Sequence, residues 1–221
     1  MKKVLLALSG GIDSTVVLSM LLEKGYEVTP ITFSYGSKHN EYENAAVVKI
    51  AKHYHLAEPA CIDLGLVMQH FDSDLLKSGG AIPEGHYEDE SMRRTVVPSR
   101  NMIFLSILAG VAESKGIKEL ALGVHQGDHF IYPDCRPYFI QSMQHTIELA
   151  SGGKVHTIHA PILFWDKAQI VKEGIKLHVP FELTRTCYKD QPIACGKCGS
   201  CMERLEAFAA NGIEDPIPYV K

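Results

Sequence analysis

Short apolar runs alternate along the chain with longer segments whose apolar residues recur every three or four positions. The runs are rich in β-branched residues and predict strands over 2–8, 27–33, 60–64 and 119–124. The periodic segments predict helices over 14–24, 40–55, 99–115, 137–150, 166–177 and 202–211. Strands that alternate with helices form βαβ units around a parallel sheet. We therefore predict an α/β fold with a Rossmann-like parallel sheet and helices on both faces.

One long segment interrupts this alternation. Residues 72–97 are rich in glycine and polar residues, and they include the acids Glu84 and Glu88. A segment of this kind is typical either of a mobile lid or of a surface insertion, and both interpretations stay open here. In parallel sheets ligands bind beyond the carboxyl ends of the strands, so the loops that follow strands are where functional residues are expected.

The size and charge of the chain exclude several classes of protein. Its 221 residues are 46% hydrophobic and 22% charged, which excludes a disordered or collagen-like chain. The net charge of −4 argues against a direct nucleic-acid partner and favours a small-molecule ligand. No signal-peptide pattern opens the sequence, and no apolar stretch approaches the roughly 20 residues of a bilayer crossing. We therefore expect a cytoplasmic protein with reduced thiols and no membrane partner.

A glycine turn joins the first predicted strand to the first predicted helix, and residues 9–15 read SGGIDST. Unpaired N–H groups at a helix N-terminus bind anions, and glycines let the backbone approach a phosphate closely. The alternative is a tight connection capped by Ser9 or Asp13. If the turn holds phosphate, valine at Gly10 or Gly11 is expected to abolish nucleotide binding and leave the fold largely intact.

Four of the six cysteines lie within fifteen residues near the C-terminus, at Cys187, Cys195, Cys198 and Cys201. Closely spaced thiolates in a reducing compartment predict a closed tetrahedral Zn²⁺ site of structural type, and an iron–sulfur cluster is the rival interpretation. We predict a nucleotide-binding domain over 1–180 and a small zinc-binding subdomain over 181–221. Cys61 is expected in the core.

The SGGIDS string resembles the phosphate loop of the PP-loop ATP pyrophosphatases, whose fold is of the adenine nucleotide alpha hydrolase type. The resemblance implies ATP cleavage between the α and β phosphates, with Mg²⁺ organised by Asp13 and with Asp13 and Ser14 as catalytic residues. It places adenine near residues 33–36. The implied nucleotide-binding residues are Leu8, Ser9, Gly10, Gly11, Ile12, Asp13, Ser14, Thr15, Val16, Val17 and Leu18.

Three further strings narrow the resemblance: VPSRN at 97–101, YPDCRP at 132–137 and CGKCGSC at 195–201. Together with the phosphate loop they are similar to the 7-cyano-7-deazaguanine synthase family over residues 4–216. The resemblance implies ATP-dependent conversion of 7-carboxy-7-deazaguanine and ammonia to 7-cyano-7-deazaguanine in queuosine biosynthesis, by a homodimer. Two departures are Tyr138 and the HFI string at 129–131, where the family often has an acidic residue and an aromatic-Ser-Gly segment.

Such a substrate needs a cation for its carboxylate and an acceptor for its guanine-like edge. The candidate cations are Arg100 and Arg136, and the candidate acceptors are Asp128 and Asp134; structural roles are the alternative for each. Cys135 is either a thiolate nucleophile or a packed neutral thiol. Two competing functions stay open: a tRNA-modifying PP-loop enzyme, and a non-catalytic zinc-knuckle binding module.

Overall fold

The computed structural model describes residues 2–86 and 89–220, and it contains a five-stranded sheet. The strands are β1 (Lys3–Ala7), β2 (Glu27–Ser34), β3 (Ala60–Asp63), β4 (Glu119–Ala121) and β5 (Thr157–His159). The α-helices are α1 (Ile12–Glu23), α2 (Asn40–His53), α3 (Gly65–Met68), α4 (Arg100–Lys115), α5 (Pro137–Ala150), α6 (Lys167–Lys176) and α7 (Gly199–Ala210).

All strand pairs are parallel, and the strand order is β3-β2-β1-β4-β5. The predicted parallel α/β sheet is therefore confirmed. The strand order reverses between β1 and β4, where Val4 pairs with Glu119. The chain therefore leaves the carboxyl ends of β1 and β4 in opposite directions, which opens a crevice between them. The prediction missed β5, because three residues with one buried apolar side chain form no recognisable run.

The two faces of the sheet carry separate apolar cores, because side chains alternate along each strand. Leu5 of β1 packs with α4 and α5, whereas its neighbours Val4 and Leu6 pack with α1, α2, α6 and α7. Helices therefore cover both faces, as predicted. This arrangement leaves the carboxyl ends of the strands uncovered. The carboxyl end of β1 continues directly into the glycine turn of residues 9–15.

Residues 90–115 are long and apolar enough to cross a membrane by length and composition alone, contrary to the expectation from the sequence. In the structure this segment is not one α-helix, because a 3₁₀-helix covers Glu90–Thr95 and α4 begins at Arg100. Leu105, Leu108 and Ala112 are buried against the sheet. Packing on the sheet therefore accounts for the apolar character of this side of α4.

The long polar segment before α4 packs against the body of the protein. Leu75, Leu76 and Met92 are buried in the same core as α4. The Lys38 ammonium donates hydrogen bonds to the carbonyls of Asp74, Leu76 and Gly79 and so binds the segment to the loop before α2. Of the two interpretations left open, these contacts favour a packed insertion; Glu88 lies outside the described residues.

A buried ion pair joins two parts of the C-terminal segment. Arg204 of α7 is fully buried, and its Nε lies 2.6 Å from Asp215 Oδ2. The same guanidinium donates to the hydroxyls of Thr184 and Thr186. Breaking one partner of such a pair leaves a buried charge unpaired, which costs about 3–5 kcal/mol. These partners all belong to residues 181–221 and hold the segment together, whereas Ala207 and Phe208 of α7 pack it into the core formed with α1 and α6. The boundary at 180 stays a prediction.

Candidate active site

A cavity opens at the carboxyl ends of β1, β2 and β4, where the strand order reverses. It encloses about 1250 Å³ of empty space, counting its open mouth, which is ample for a nucleotide and a second small molecule. Its wall combines the phosphate loop, the start of α4, the 125–135 loops and the C-terminal segment. Charged residues in the wall are Asp13, Glu43, Arg100, Asp128, Lys167, Arg185 and Glu203.

The predicted phosphate loop forms one side of this cavity. Gly11 is the N-cap of α1, so the helix begins two residues earlier than predicted. The hydroxyls of Ser9 and Ser14 lie 3.1 Å apart, and the Thr15 hydroxyl donates to the Gly11 carbonyl at 2.7 Å. These bonds hold the turn closed around the helix N-terminus, where N–H groups are free for an anion.

Only part of the predicted nucleotide-binding set reaches the cavity. Leu8, Ser9, Gly11, Ile12, Asp13 and Ser14 line it. The other members, Gly10, Thr15, Val16, Val17 and Leu18, lie outside the lining. The last three are fully buried in the core beneath α1. A helix that starts at the cavity turns most of its later residues away from it. The nucleotide-binding role of the full set stays a prediction.

The two glycines of the turn have different roles. Gly10 has φ +79°, and a Cβ there would lie 2.8 Å from the Glu43 carbonyl oxygen. Gly11 has an ordinary extended backbone, and its Cβ would meet nothing closer than 3.4 Å. The expectation that valine at either position spares the fold is therefore wrong for Gly10, because backbone atoms cannot move aside. It holds on geometric grounds for Gly11 alone.

Asp13 belongs to a buried charge cluster that the sequence did not indicate. Both carboxylate oxygens of Asp13 accept hydrogen bonds from Lys167 Nζ at 2.8 Å, and Glu203 Oε2 lies 3.3 Å from the same nitrogen. Burial raises the pKa of Asp13, but Lys167 and His125 outweigh burial and hold that pKa below its usual value. Burial dominates at Glu203 and raises its pKa. A charged ammonium therefore stands beside the phosphate loop.

Arg100 forms the opposite end of the cavity. One of its terminal nitrogens donates to the Tyr35 hydroxyl at 3.3 Å, and no carboxylate of the described residues lies within ion-pair distance of it. Burial lowers the pKa of Arg100, but Tyr35 and Tyr132 outweigh that effect and raise it. A half-buried guanidinium with tyrosines around it, and with no acidic partner among the described residues, is suited to bind an anionic ligand.

Aromatic side chains form another part of the cavity wall, called the aromatic wall. The rings of Phe33 and Phe104 stack with centroids 4.0 Å apart and planes at 6°, and Tyr35 meets Phe104 edge-on at 5.6 Å. Phe33 and Tyr35 belong to residues 33–36, the segment that the resemblance associates with adenine. Flat apolar rings of this kind offer a stacking surface for a heterocycle.

Of the other predicted substrate residues, Asp128 lines the cavity, whereas Asp134 and Arg136 do not. The Asp134 carboxylate accepts a hydrogen bond from the Asn101 backbone N–H at 2.8 Å, at the start of α4. Arg136 is exposed, and its Nε donates to the His129 carbonyl at 2.9 Å. Asp128 does line the cavity, and its Oδ1 lies 3.6 Å from His125 Nε2. The roles predicted for Asp134 and Arg136 are untested by these contacts.

The two isolated cysteines differ in environment. Cys135 is buried, and the Asn101 amide donates to its sulfur at 3.1 Å. Burial, with smaller contributions from Asp128 and Asp134, raises the pKa of Cys135 well above its usual value, so its thiol is neutral. Of the two interpretations left open, the packed neutral thiol is the one that this environment favours. Cys61 is exposed on the edge strand β3, and its predicted place in the core is wrong.

The four clustered cysteines are buried, and their sulfur atoms all lie within 4.8 Å of one another. The backbone N–H of Cys195 donates to Cys187 Sγ, and that of Cys198 to Cys195 Sγ, each at 3.3 Å. Four converging soft ligands with N–H···S bonds fit one tetrahedrally bound metal ion. The residues present therefore form a candidate metal site with no room for a fifth ligand from solvent.

The model of the family described as "Queuosine biosynthesis protein QueC" matches residues 3–212. The chain belongs to this family. It is similar, at 41% identity and 99% coverage of both chains, to the 7-cyano-7-deazaguanine synthase of Pseudoalteromonas atlantica. The relative of that name from Archaeoglobus fulgidus is 44% identical, covering 97% of this chain and 89% of the relative. The QueC family assignment confirms the resemblance read from the four sequence strings and makes the protein an enzyme of queuosine biosynthesis.

Solved structures support the fold alone. A U34-tRNA thiolase from Methanococcus maripaludis superimposes with a TM-score of 0.52 at 18% identity, covering 93% of this chain and 64% of the other. A predicted tRNA methyltransferase subunit from Methanocaldococcus jannaschii gives 0.51 at 16% identity, with coverage of 100% and 93%. At such identities these similarities show that this chain shares a fold with the two proteins, and they do not show a shared function.

Sequence analysis missed several residues of the QueC cavity. Lys167 is the first residue of α6, where Asp166 and Gln169 form a reciprocal capping box. The capping pattern was visible as an acidic residue followed three positions later by Gln. It marks a helix start and cannot show that the next side chain meets Asp13. His125 and Glu203 carried no signal of their own.

Proposed function

We propose that this chain converts 7-carboxy-7-deazaguanine and ammonia to 7-cyano-7-deazaguanine with ATP. The observation that carries the proposal is the cavity itself, because one wall presents an anion-binding helix N-terminus and the opposite wall presents Arg100 without an acidic partner. ATP and a carboxylate substrate are both anions, and adenylation requires them side by side. The names of the relatives agree with this product.

At the loop end, the N–H groups of α1 and the hydroxyl of Ser14 would hold the departing pyrophosphate. Lys167 stands beside them and is oriented by Asp13 and Glu203, so that its charge favours the developing negative charge on the phosphates. The aromatic wall of Phe33 would take the adenine. Mg²⁺, when bound, would neutralise phosphate charge, and the Asp13 carboxylate, which also accepts from Lys167, would be its oxygen ligand in the loop.

At the other end, Arg100 would neutralise and orient the substrate carboxylate, and Asp128 would accept from its guanine-like edge. A carboxylate oxygen attacks the α-phosphorus, and the α–β bond breaks with release of pyrophosphate. Ammonia then displaces AMP to give the amide. A second adenylation at the amide oxygen, followed by loss of AMP and a proton, gives the nitrile. We assign Asp134 to positioning Asn101 and the start of α4.

We further propose that the cysteine cluster holds Zn²⁺ rather than an iron–sulfur cluster, and that the protein acts in the cytoplasm. A homodimer is proposed because α4, the 3₁₀-helix Gln126–Phe130 and α5 expose the apolar side chains of Met102, Phe130 and Tyr138 respectively. A sulfur-transferring tRNA enzyme is disfavoured, because the Cys135 thiol is buried and neutral. Nucleic acid is not expected as a direct partner at a net charge of −4.

Mass spectrometry of 7-carboxy-7-deazaguanine incubated with protein, ATP, Mg²⁺ and ammonium tests the function. The expected products are the amide, then the nitrile, with AMP and pyrophosphate; formation of ADP contradicts the adenylation. Arg100→Met is expected to raise the KM for the acid by about tenfold to a hundredfold, through loss of a charge-assisted contact. Arg93→Met is the matched control, because Arg93 is exposed and does not line the cavity.

A further inference from the structure

One polar pair in the cavity wall has no part in holding ATP or the substrate carboxylate. His39 is 1% exposed, and its Nε2 lies 3.4 Å from Glu43 Oε1. Both residues line the cavity. In the described part of the chain, Glu43 has no Lys or Arg within ion-pair distance, whereas Asp13 and Glu203 share Lys167. Among the described residues, the His39 imidazole is therefore the one basic group within ion-pair distance of the Glu43 carboxylate.

The other ring nitrogen of His39 is also distinctive. Its Nδ1 is buried and has no hydrogen-bond partner among the described residues. Because Nε2 faces a carboxylate, the favoured neutral tautomer carries its proton on Nε2, which leaves a lone pair on Nδ1. A buried acceptor without a donor is costly, so a ligand with an N–H group would satisfy it.

The surroundings of this pair suit a small cation. The ring of Tyr188 lies 5.3 Å from the ring of His39, and Tyr35 is close enough to Glu43 for the carboxylate to raise the pKa of Tyr35, after burial as the main cause, to about 12. Both tyrosines are neutral, and aromatic faces attract ammonium groups. Arg100 contacts the same Tyr35, so the pair lies one tyrosine away from the proposed carboxylate site.

We propose that His39 and Glu43 form the subsite that binds ammonium and takes up its proton. The proposal rests on the function proposed above, in which ammonia is the nucleophile. Glu43 and the tyrosine rings attract the cation, whereas its burial away from water favours the neutral amine. One ammonium proton moves to His39 Nδ1, where Glu43 stabilises the imidazolium. The freed nitrogen lone pair forms the C–N bond while the C–O bond to the adenylate breaks, and a second proton leaves with the AMP phosphate.

The two halves of the reaction give a direct test, because ammonia enters the first half alone. Glu43→Gln is expected to raise the KM for ammonium chloride by about tenfold to a hundredfold when the acid is the substrate. When the amide is supplied instead, its conversion to the nitrile is expected to change by less than about threefold. His39→Gln is expected to show the same split, and the ATP dissociation constant should be unaffected in both.

Glu41→Gln is the matched control, because Glu41 lies on the same helix with its side chain 81% exposed. An ammonium KM that stays unchanged in Glu43→Gln overturns the subsite, as does an equal loss of both half-reactions. These outcomes are read against active wild-type protein. Failure of the wild type to convert the acid at all is a different result, since it contradicts the proposed function itself.

Discussion

The cysteine cluster and the cavity beside it are built in contrasting ways. The cluster draws all its ligands from residues 187–201, whereas the cavity wall runs from Ala7 to Glu203. A few tight turns suffice to bring the four sulfurs together, but Asp13, Lys167 and Glu203 meet only after the sheet and its helices have assembled. Substitutions in the cluster should therefore lower mainly the stability of the fold, and substitutions in the cavity mainly the rate of the reaction.

Removal of the metal is expected to have the largest effect. Metal binding at a structural Cys₄ site is folding free energy, on the order of 10 kcal/mol in small zinc domains. We expect chelation, or Cys198→Ser, to lower the melting temperature and to expose α7 in hydrogen exchange. Elemental analysis should find one zinc per chain.

The exposed Cys61 offers the control for that experiment, since Cys61→Ser should change stability by less than about 0.5 kcal/mol. A Cys198→Ser protein that melts like the wild type would break the contrast between the two regions. So would a wild-type preparation that contains iron and sulfide.

Lys167→Met is expected to show the opposite behaviour. Its loss leaves the Asp13 and Glu203 carboxylates facing the ATP phosphates without a cation, which costs roughly 1.5–3 kcal/mol or more in the transition state. We expect turnover to fall by about a hundredfold while the metal content stays at one per chain. Lys172→Met, on an exposed position of the same helix, should retain activity. Equal effects of the two substitutions would refute the role of Lys167.

The two glycines of the phosphate loop separate folding from binding within a single turn. Gly10→Ala places a Cβ against backbone atoms at φ +79° and is expected to cost about 2 kcal/mol or more in unfolding free energy. Gly11→Ala has room and should cost less than about 1 kcal/mol, with weaker ATP binding as its main effect. Urea denaturation and calorimetric titration with ATP measure the two quantities. Similar stabilities for both variants would contradict the geometry.

Cys135→Ser is expected to have the smallest effect. The thiol is buried, neutral and bonded to the Asn101 amide, and a hydroxyl can accept the same hydrogen bond. We expect turnover within about threefold of the wild type and a stability loss below roughly 1.5 kcal/mol. A serine variant without turnover, but with intact metal and ATP binding, would favour covalent catalysis by this cysteine and weaken the proposed mechanism.

The sequence predicted the features whose information is local. The SGGIDST string and the four cysteines each lie within a short segment, so their residue types and spacings carry the chemistry directly. Four of the five strands followed from their apolar runs. β5 did not, because a three-residue edge strand is defined by pairing with β4 rather than by its own composition.

Tertiary structure decided which of the candidate residues meet. Arg100 and Arg136 looked equivalent along the chain, yet the start of α4 directs one into the cavity and the other contacts a surface carbonyl. Lys167 of α6 reaches Asp13 across 154 positions of sequence, and Glu203 of α7 reaches the same Lys167 across 36. No spacing rule links residues so far apart, because their distance is set by the packing of helices on a sheet. The glycine loop and the candidate metal ligands could therefore be predicted from sequence alone, whereas the charge balance of the cavity was decided by the fold.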